Sequence, residues 1–416
     1  MPIKTVHLTN AYHPSSGGIR TFYHALLDAA ADHRREMVLV VPGARASVDR
    51  VNAFARIYTV PAPRSPVVDR RYRLILPHRY LSSRGDVWRI LEREQPDLVE
   101  VCDKYSLCYL GGMIKRRIPE ARRPALVALS CERIDDNVRA FASASTVAQS
   151  AARRFLRHAY VPLFDAHIAN SRYTAAELEG LGRPVYVCGM GVDAETFTPH
   201  RRTETARSLM HRRLFAPSSA CVLLYAGRVS PEKNVTLLVD MMQQLCRAPA
   251  RQYHLLIVGD GPVRGKLLRD AAERVPGRVH VMPPLTDRAQ LADLYANADV
   301  FVHPNPREPF GIAPLEALAS GLPLVAPSSG GVRSYATLGN AWLAEPEGAE
   351  FASAVRAVMA DSEEREARVH AGRLTAEQHR WPIVAARFFE IYDGIAEDVF
   401  ARTRPAAPIR RAVAVR

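Results

Sequence analysis

The sequence predicts an α/β chain of two doubly wound domains, each a parallel sheet covered by helices on both faces. Three observations carry this. Short apolar runs of strand length alternate with helical stretches through both halves of the chain, as βαβ units require. At 416 residues the chain exceeds one comfortable core. Between Val300 and Ala326 it reads VFVHPNPREPFGIAPLEALASGLPLVA: a strand, a Pro-rich loop, a short helix and a second strand. Pro314 stands in the first helical turn, and Gly321 followed by Pro323 stops the helix.

Taken in order, Thr5–Leu8, Met37–Val41, Asp97–Val101, Ala125–Ser130 and Ala166–Ala169 read as short buried strands of the first half. Val185–Cys188, Val222–Ala226, His254–Val258, Val279–Met282, Val300–Val302 and Leu324–Ala326 continue the pattern in the second. The stretch GMGVDAETFTPHRR (189–202) shifts to turn residues. It divides the chain into an N-terminal domain, 1–190, and a C-terminal domain, 191–380. A last amphipathic helix is expected from Trp381 to Phe400, and the Pro- and Arg-rich residues 402–416 are expected to be a disordered basic tail.

With 48% hydrophobic and 24% charged residues the composition is that of a soluble globular protein. No apolar run approaches the ~20 residues that span a bilayer, and the first residues read as a strand rather than a signal core. The expected location is therefore the cytoplasm. Six cysteines without a CxxC pair fit free thiols. Net charge is +13, and residues 1–200 hold 28 Lys and Arg against 20 Asp and Glu, so much of the excess sits in the first half. Arginines cluster at 64–93, at 116–123 and in AARRFLRHAY (151–160), a pattern that suits either a solvated face or contact with an anionic membrane surface. No zinc finger, RNP signature or long basic helix accompanies them, so nucleic acid is excluded as the expected partner.

Four motifs point to chemistry. Glu308 lies on the loop after strand Val300–Val302 and Glu316 on the helix that follows, two acceptor groups suited to gripping hydroxyls. The backbone N–H groups of Phe310, Gly311 and Ile312 lead into that helix N-terminus, which attracts phosphate. Gly17 and Gly18 stand at the first strand-to-helix turn, where the lack of a Cβ lets a ligand approach the backbone. In LLYAGRVSPEKNVTLLVD (223–240), Arg228 and Lys233 flank Ser-Pro-Glu before a helix, a guanidinium fork and a point charge suited to two adjacent phosphates. LLIVGDGPVRGKL (255–267) is not a dinucleotide fingerprint, because its glycines are spaced Gly259-x-Gly261-x3-Gly265; as a tight turn it can still lay backbone along a base. No Asp-x-Asp occurs in the chain, which argues against a metal-clamped diphosphate.

The Gly-Gly loop, Arg-x4-Lys and the Glu-x7-Glu segment, in this order along the chain, resemble GT-B glycosyltransferases, in particular glycosyltransferase family 4. The resemblance runs from about residue 5 to 400. It implies two Rossmann-like domains facing a central cleft, with the last helix crossing back to the first domain. It implies a nucleotide diphosphate sugar (UDP- or GDP-linked) as donor substrate, no separate cofactor and no metal. It also implies transfer of a hexosyl group with retention to a sugar or lipid-linked acceptor; the basic first half could hold the protein peripherally on the inner face of a membrane. Glu308 would contact the donor sugar, Glu316 the ribose, and Arg228 and Lys233 the diphosphate. Gly259 and Gly261 with Pro284 and Leu285 resemble the family's base pocket. On the acceptor side, where the family often carries a His, ALSCERIDDNV (128–138) places Cys131 or Glu132; Glu132, Arg133 and Asp135 are acceptor candidates, and His13 could supply the missing imidazole. The rivals are another GT-B activity, an epimerase or sugar-phosphate synthase, and a catalytically inactive membrane-docking scaffold.

Overall fold

The computed structural model describes residues 2–13, 17–65, 72–82, 84–141, 145–247 and 251–403. The first sheet contains β1 (Thr5–Thr9), β2 (Met37–Gly43), β3 (Ser47–Arg50), β4 (Ala55–Pro61), β5 (Leu98–Cys102), β6 (Ala125–Ser130), β7 (Ala166–Ala169) and β8 (Val185–Val187). The second contains β9 (Cys221–Ala226), β10 (Tyr253–Val258), β11 (Val279–Met282), β12 (Val300–Val302), β13 (Leu324–Pro327) and β14 (Trp342–Ala344). Strands such as β1, β5, β6 and β10 are buried along their whole length, which is why they read as apolar runs rather than alternating ones.

Strand order is β3-β4-β2-β1-β5-β6-β7-β8 in one sheet and β11-β10-β9-β12-β13-β14 in the other. Every pairing is parallel except β3 with β4. In both sheets the winding reverses, between β1 and β5 and between β9 and β12. Loops leaving the carboxyl ends of such neighbours diverge to opposite faces and open a crevice there. The loop with Gly17 and Gly18 leaves β1, the loop with Arg228 and Lys233 leaves β9, and the loop with Glu308 leaves β12.

The predicted strands all form, four with the predicted ends and the others with ends shifted by one or two residues. β3, β4 and β14 were not anticipated: β3 is a fully exposed edge strand paired antiparallel with β4, and the three residues of β14 are too few to show a period.

Six helices matter below: α1 (Gly18–Asp32), α2 (Thr146–Phe155), α3 (Glu204–Arg213), α4 (Arg288–Asn297), α5 (Ile312–Ala319) and α6 (Trp381–Thr403). The last extends past the expected end at Phe400, so Arg402 and Thr403 are helical rather than tail; residues 404–416 lie outside the described part. Helix α6 crosses back to the first sheet. Phe388 packs edge-on to Phe22 of α1 at 4.9 Å, and Arg35 reaches Asp393 at 2.5 Å. Its Tyr392 hydroxyl donates to the fully buried Glu100 of β5, which also accepts from Tyr23 at 2.9 Å and lies 3.0 Å from His7. The segment between the sheets is tied to the start of α6, since Val192 N–H donates to His379 C=O at 2.8 Å and Gly191 lies under the Trp381 ring.

Candidate active site

The loops after β9 and β12 meet over the reversal point of the second sheet. Asn234, in the left-handed region at φ 53°, turns its side chain to donate to Pro304 C=O at 3.1 Å and joins the two loops. Lys233 Nζ then lies 2.7 and 3.0 Å from the two oxygens of Glu308. Asn305 Nδ2 donates to the same carboxylate at 3.0 Å, and His303 Nε2 stands 3.7 Å away. Burial alone would raise the Glu308 carboxyl, but the Lys233 charge, with His303 and Asn305, holds it down to about 2. Burial lowers the His303 imidazole to about 4, so the ring is neutral at pH 7.

Two glycine features aim Glu308. Gly311 caps α5 at φ 88°, where a Cβ would approach Glu308 Cγ at 3.2 Å and the Tyr335 hydroxyl at 3.1 Å. Gly331 N–H donates to Glu308 C=O at 2.6 Å, and a Cβ on Gly331 would sit 1.9 Å from Pro309 C=O.

Eight residues on, Glu316 is inside α5 and 5% exposed. Its Oε1 accepts from Arg288 Nη2 at 2.8 Å, and burial raises its carboxyl against the opposing pull of Arg288. Arg288 lies over the Phe197 ring at 4.9 Å and, with Asp193 and Trp381, lines a 510 Å³ cleft whose other wall is α1. Neither Lys233 nor Glu308 lines this cavity, and Arg288 connects its wall to Glu316. Arg228 is one-third exposed, with Nη1 3.9 Å from Glu232.

The two halves touch at the same place. Ser171 Oγ donates to Pro309 C=O at 2.5 Å, and the Ile312 side chain lies 3.4 Å from where a Cβ of Gly18 would be. The first Gly-Gly turn and the start of α5 are thus neighbours. A Cβ on Gly17, by contrast, would meet nothing within 4 Å, so packing among the described residues does not demand glycine there.

Other predicted residues also have structural contacts of their own. The Phe310 side chain is buried between Gly189 and Tyr335, so it packs the junction between the halves. Cβ atoms on Gly259 and Gly261 would sit 1.9 and 2.1 Å from the carbonyls of Gly227 and Val229; these glycines let two backbones cross and so carry the Arg228 loop. Pro284 is exposed, and Leu285 lines a separate 200 Å³ apolar pocket between α3 and α4 that neither glycine touches.

On the acceptor side, Arg133 and Asp135 are bound to each other by two hydrogen bonds of 2.9 and 2.6 Å, and Arg133 also stacks on Tyr173. They brace the loop after β6. Glu132 accepts from Asn137 at 3.0 Å, and its backbone carbonyl from the buried Lys104, which is itself ion-paired to Glu177. Burial raises the Glu132 carboxyl. Cys131 is half-buried, and a hydrogen bond with Cys102, then burial, raises its thiol. His13 packs against Tyr72 at 5.6 Å.

The profile of a family described as Glycosyl transferases group 1 matches residues 207–375, and that described as Glycosyltransferase Family 4 matches 16–196. A GDP-mannose-dependent alpha-(1-6)-phosphatidylinositol dimannoside mannosyltransferase of Mycobacterium tuberculosis is 31% identical over 388 residues, 92% of this chain and 94% of its own. The chain belongs to glycosyltransferase family 4. A D-inositol 3-phosphate glycosyltransferase of Xylanimonas cellulosilytica is 32% identical over 241 residues, 55% of this chain and 56% of its own. Sucrose-phosphate synthase from Thermosynechococcus elongatus superposes with a TM-score of 0.76 at 19% identity, covering 95% of this chain and all of its own; that likeness shows the shared GT-B fold.

In this family 4 chain, sequence reasoning missed His303, Asn305, Arg288 and Gly330-Gly331. The first two stand inside the motif that drew attention to Glu308, and a Ser-Ser-Gly-Gly run following a strand is itself a turn signal. Arg288 carried none, because only folding brings it to Glu316.

Proposed function

We propose that the protein is a retaining glycosyltransferase that moves a hexosyl group from a nucleotide diphosphate sugar to a sugar or lipid-linked acceptor without a divalent metal. The observation that carries this reading is the Lys233–Glu308 pair at 2.7 Å over the reversal point of the second sheet, with Glu316 on the following helix. In this reading Lys233 and Arg228 take the diphosphate and offset the charge that grows on the departing nucleotide. Glu308 holds the transferred sugar and Glu316 the ribose. The acceptor hydroxyl attacks on the leaving-group face and a donor phosphate oxygen takes its proton, so no separate protein base is required.

GDP-mannose is the donor we place first, because the relative aligned over nearly the whole chain is named for it. Both named relatives carry inositol in their names, which makes an inositol-bearing glycolipid our first acceptor. Support for metal independence is that the chain has two cations for phosphate and no Asp-x-Asp. The test is a thermal-shift panel of GDP-, UDP- and ADP-sugars with and without EDTA, followed by transfer assays. A rise in Tm with GDP-mannose that survives EDTA, and transfer with retained configuration, are expected. No shift with any nucleotide sugar would overturn the reading, as would transfer that is abolished by EDTA and restored by Mg²⁺ or Mn²⁺.

A further inference from the structure

Lys233 is the only charged donor within hydrogen-bonding distance of Glu308 among the described residues, and it holds both carboxylate oxygens. Under the donor reading above, on which this inference rests, the same ammonium is drawn toward a phosphate. Glu308, 12% exposed at its side chain, would then keep one bond, from Asn305. A carboxylate left that way is poorly solvated and free to swing, and either effect spoils its aim at a sugar ring.

The neighbouring imidazole is placed to prevent this. His303 follows β12 directly, its backbone N–H bonded to Val325 C=O at 2.9 Å, so the sheet sets its direction. The residue is 5% exposed. Its Nε2 is buried, has no hydrogen-bond partner among the described residues, and faces Glu308 Oε2 across 3.7 Å. That gap is less than ~1 Å longer than an N–H···O bond. While Lys233 holds the carboxylate the gap stays open; a small movement of the released carboxylate closes it.

We propose that His303 is a positioning residue for Glu308, its Nε2–H taking over the carboxylate when Lys233 leaves it for the donor diphosphate. The neutral ring donates one hydrogen bond without adding a cation beside the transferred sugar. Its place in the sheet makes it a fixed stop, whereas Lys233, on a long side chain in the loop after β9, is the member that moves. Nucleotide binding and sugar alignment are therefore assigned to different residues at one carboxylate.

The experiment compares His303→Gln, whose amide nitrogen reaches about as far as Nε2, with His303→Asn, whose amide falls short, and with His303→Leu. Affinity for the bare nucleotide diphosphate is measured by calorimetry, kcat and donor KM by transfer assay, and folding by thermal unfolding. We expect all three to bind the nucleotide within about twofold of wild type. His303→Asn and His303→Leu should lose about tenfold or more in kcat, the scale of a misaligned reacting group, and His303→Gln should recover most of it. If the Gln and Asn variants turn over equally fast, or if nucleotide affinity falls in step with kcat, His303 does not position Glu308. Arg228→Ala serves as the separate control. Unchanged nucleotide affinity in that variant rejects the donor-site reading itself, whereas weakened affinity there with wild-type kcat in His303→Asn rejects only the role of His303.

Discussion

If Lys233 leaves Glu308 for the donor diphosphate, that competition gives the two glutamates different signatures. Glu308→Gln keeps the shape of the loop but releases Lys233, so affinity for a bare nucleotide diphosphate should stay level or rise while turnover falls. Glu316→Gln instead weakens the 2.8 Å pair with Arg288 and should cost nucleotide affinity about 1–3 kcal/mol, because the contact is desolvated. Calorimetry alongside steady-state kinetics checks both, and wild-type values in both variants would remove the main support for the site. The same ion pair has a pH signature. The Glu308 carboxyl is held at about 2, below its ordinary 4.5, so its contribution to stability is present above pH 4.5 and disappears as pH falls toward 2. Urea denaturation of wild type and Glu308→Gln should therefore converge across that window.

At the scale of elements, the glycine turns separate structural from ligand demands. Gly331→Ala would force a Cβ to within 1.9 Å of Pro309 C=O and should destabilise the protein by about 2 kcal/mol or more while displacing the Glu308 loop. Gly17→Ala meets open space at φ −77°, so unfolding should change by no more than ~0.5 kcal/mol. Donor affinity should nonetheless fall if a ligand presses on that turn; unchanged affinity would make Gly17 a plain helix cap. Helix α2 raises a different question. Residues 137–164 contain no Asp or Glu, and Arg153, Arg154 and Arg157 are exposed, as is Val147 at 76%. If the first domain meets an anionic membrane, this face is where charge favours it. Sedimentation with anionic vesicles should show salt-sensitive binding, and reversing the three arginines to Glu should remove ~1 kcal/mol per residue. Equal recovery with neutral and anionic vesicles at low salt would assign these arginines to a solvated face. No helix among the described residues is long and apolar enough to cross a membrane.

Across the whole molecule, α6 is fastened to the first sheet by one buried carboxylate. Glu100 accepts from Tyr23 and Tyr392 and faces His7, all fully buried, and burial followed by the Glu100 charge pushes both tyrosine hydroxyls well up, so they remain donors at any ordinary pH. Tyr392→Phe should cost about 1–2 kcal/mol in urea denaturation, and Glu100→Ala about 3 kcal/mol or more, since it strands three polar partners. Because α6 begins at the segment joining the two sheets, Glu100→Ala should also loosen their relative placement. Nucleotide affinity should change little if it is carried by the Arg228, Lys233 and Glu308 loops, which belong to the second sheet. A Tyr392→Phe variant as stable as wild type would show that apolar packing around Phe388 alone holds the helix.

How much was legible beforehand follows from range. Strands buried on both faces are continuous apolar runs, so Ala125–Ser130, Ala166–Ala169 and Val300–Val302 could be read with their true ends. Motifs closed within one loop, such as Glu308 to Glu316 and Arg228 to Lys233, were equally visible, because turn chemistry and helix starts are local. Partnership was not. Lys233 meets Glu308 from 75 residues away, Arg288 meets Glu316, and Gly259 is glycine because Gly227 crosses it; each depends on which strands become neighbours at the sheet's reversal point. Arg133 and Asp135 looked available for an acceptor because a sequence shows side chains without their contacts. Residue types and local turns were determined by the sequence alone; only tertiary structure decided which charges are already satisfied, because satisfaction is a matter of distance and burial.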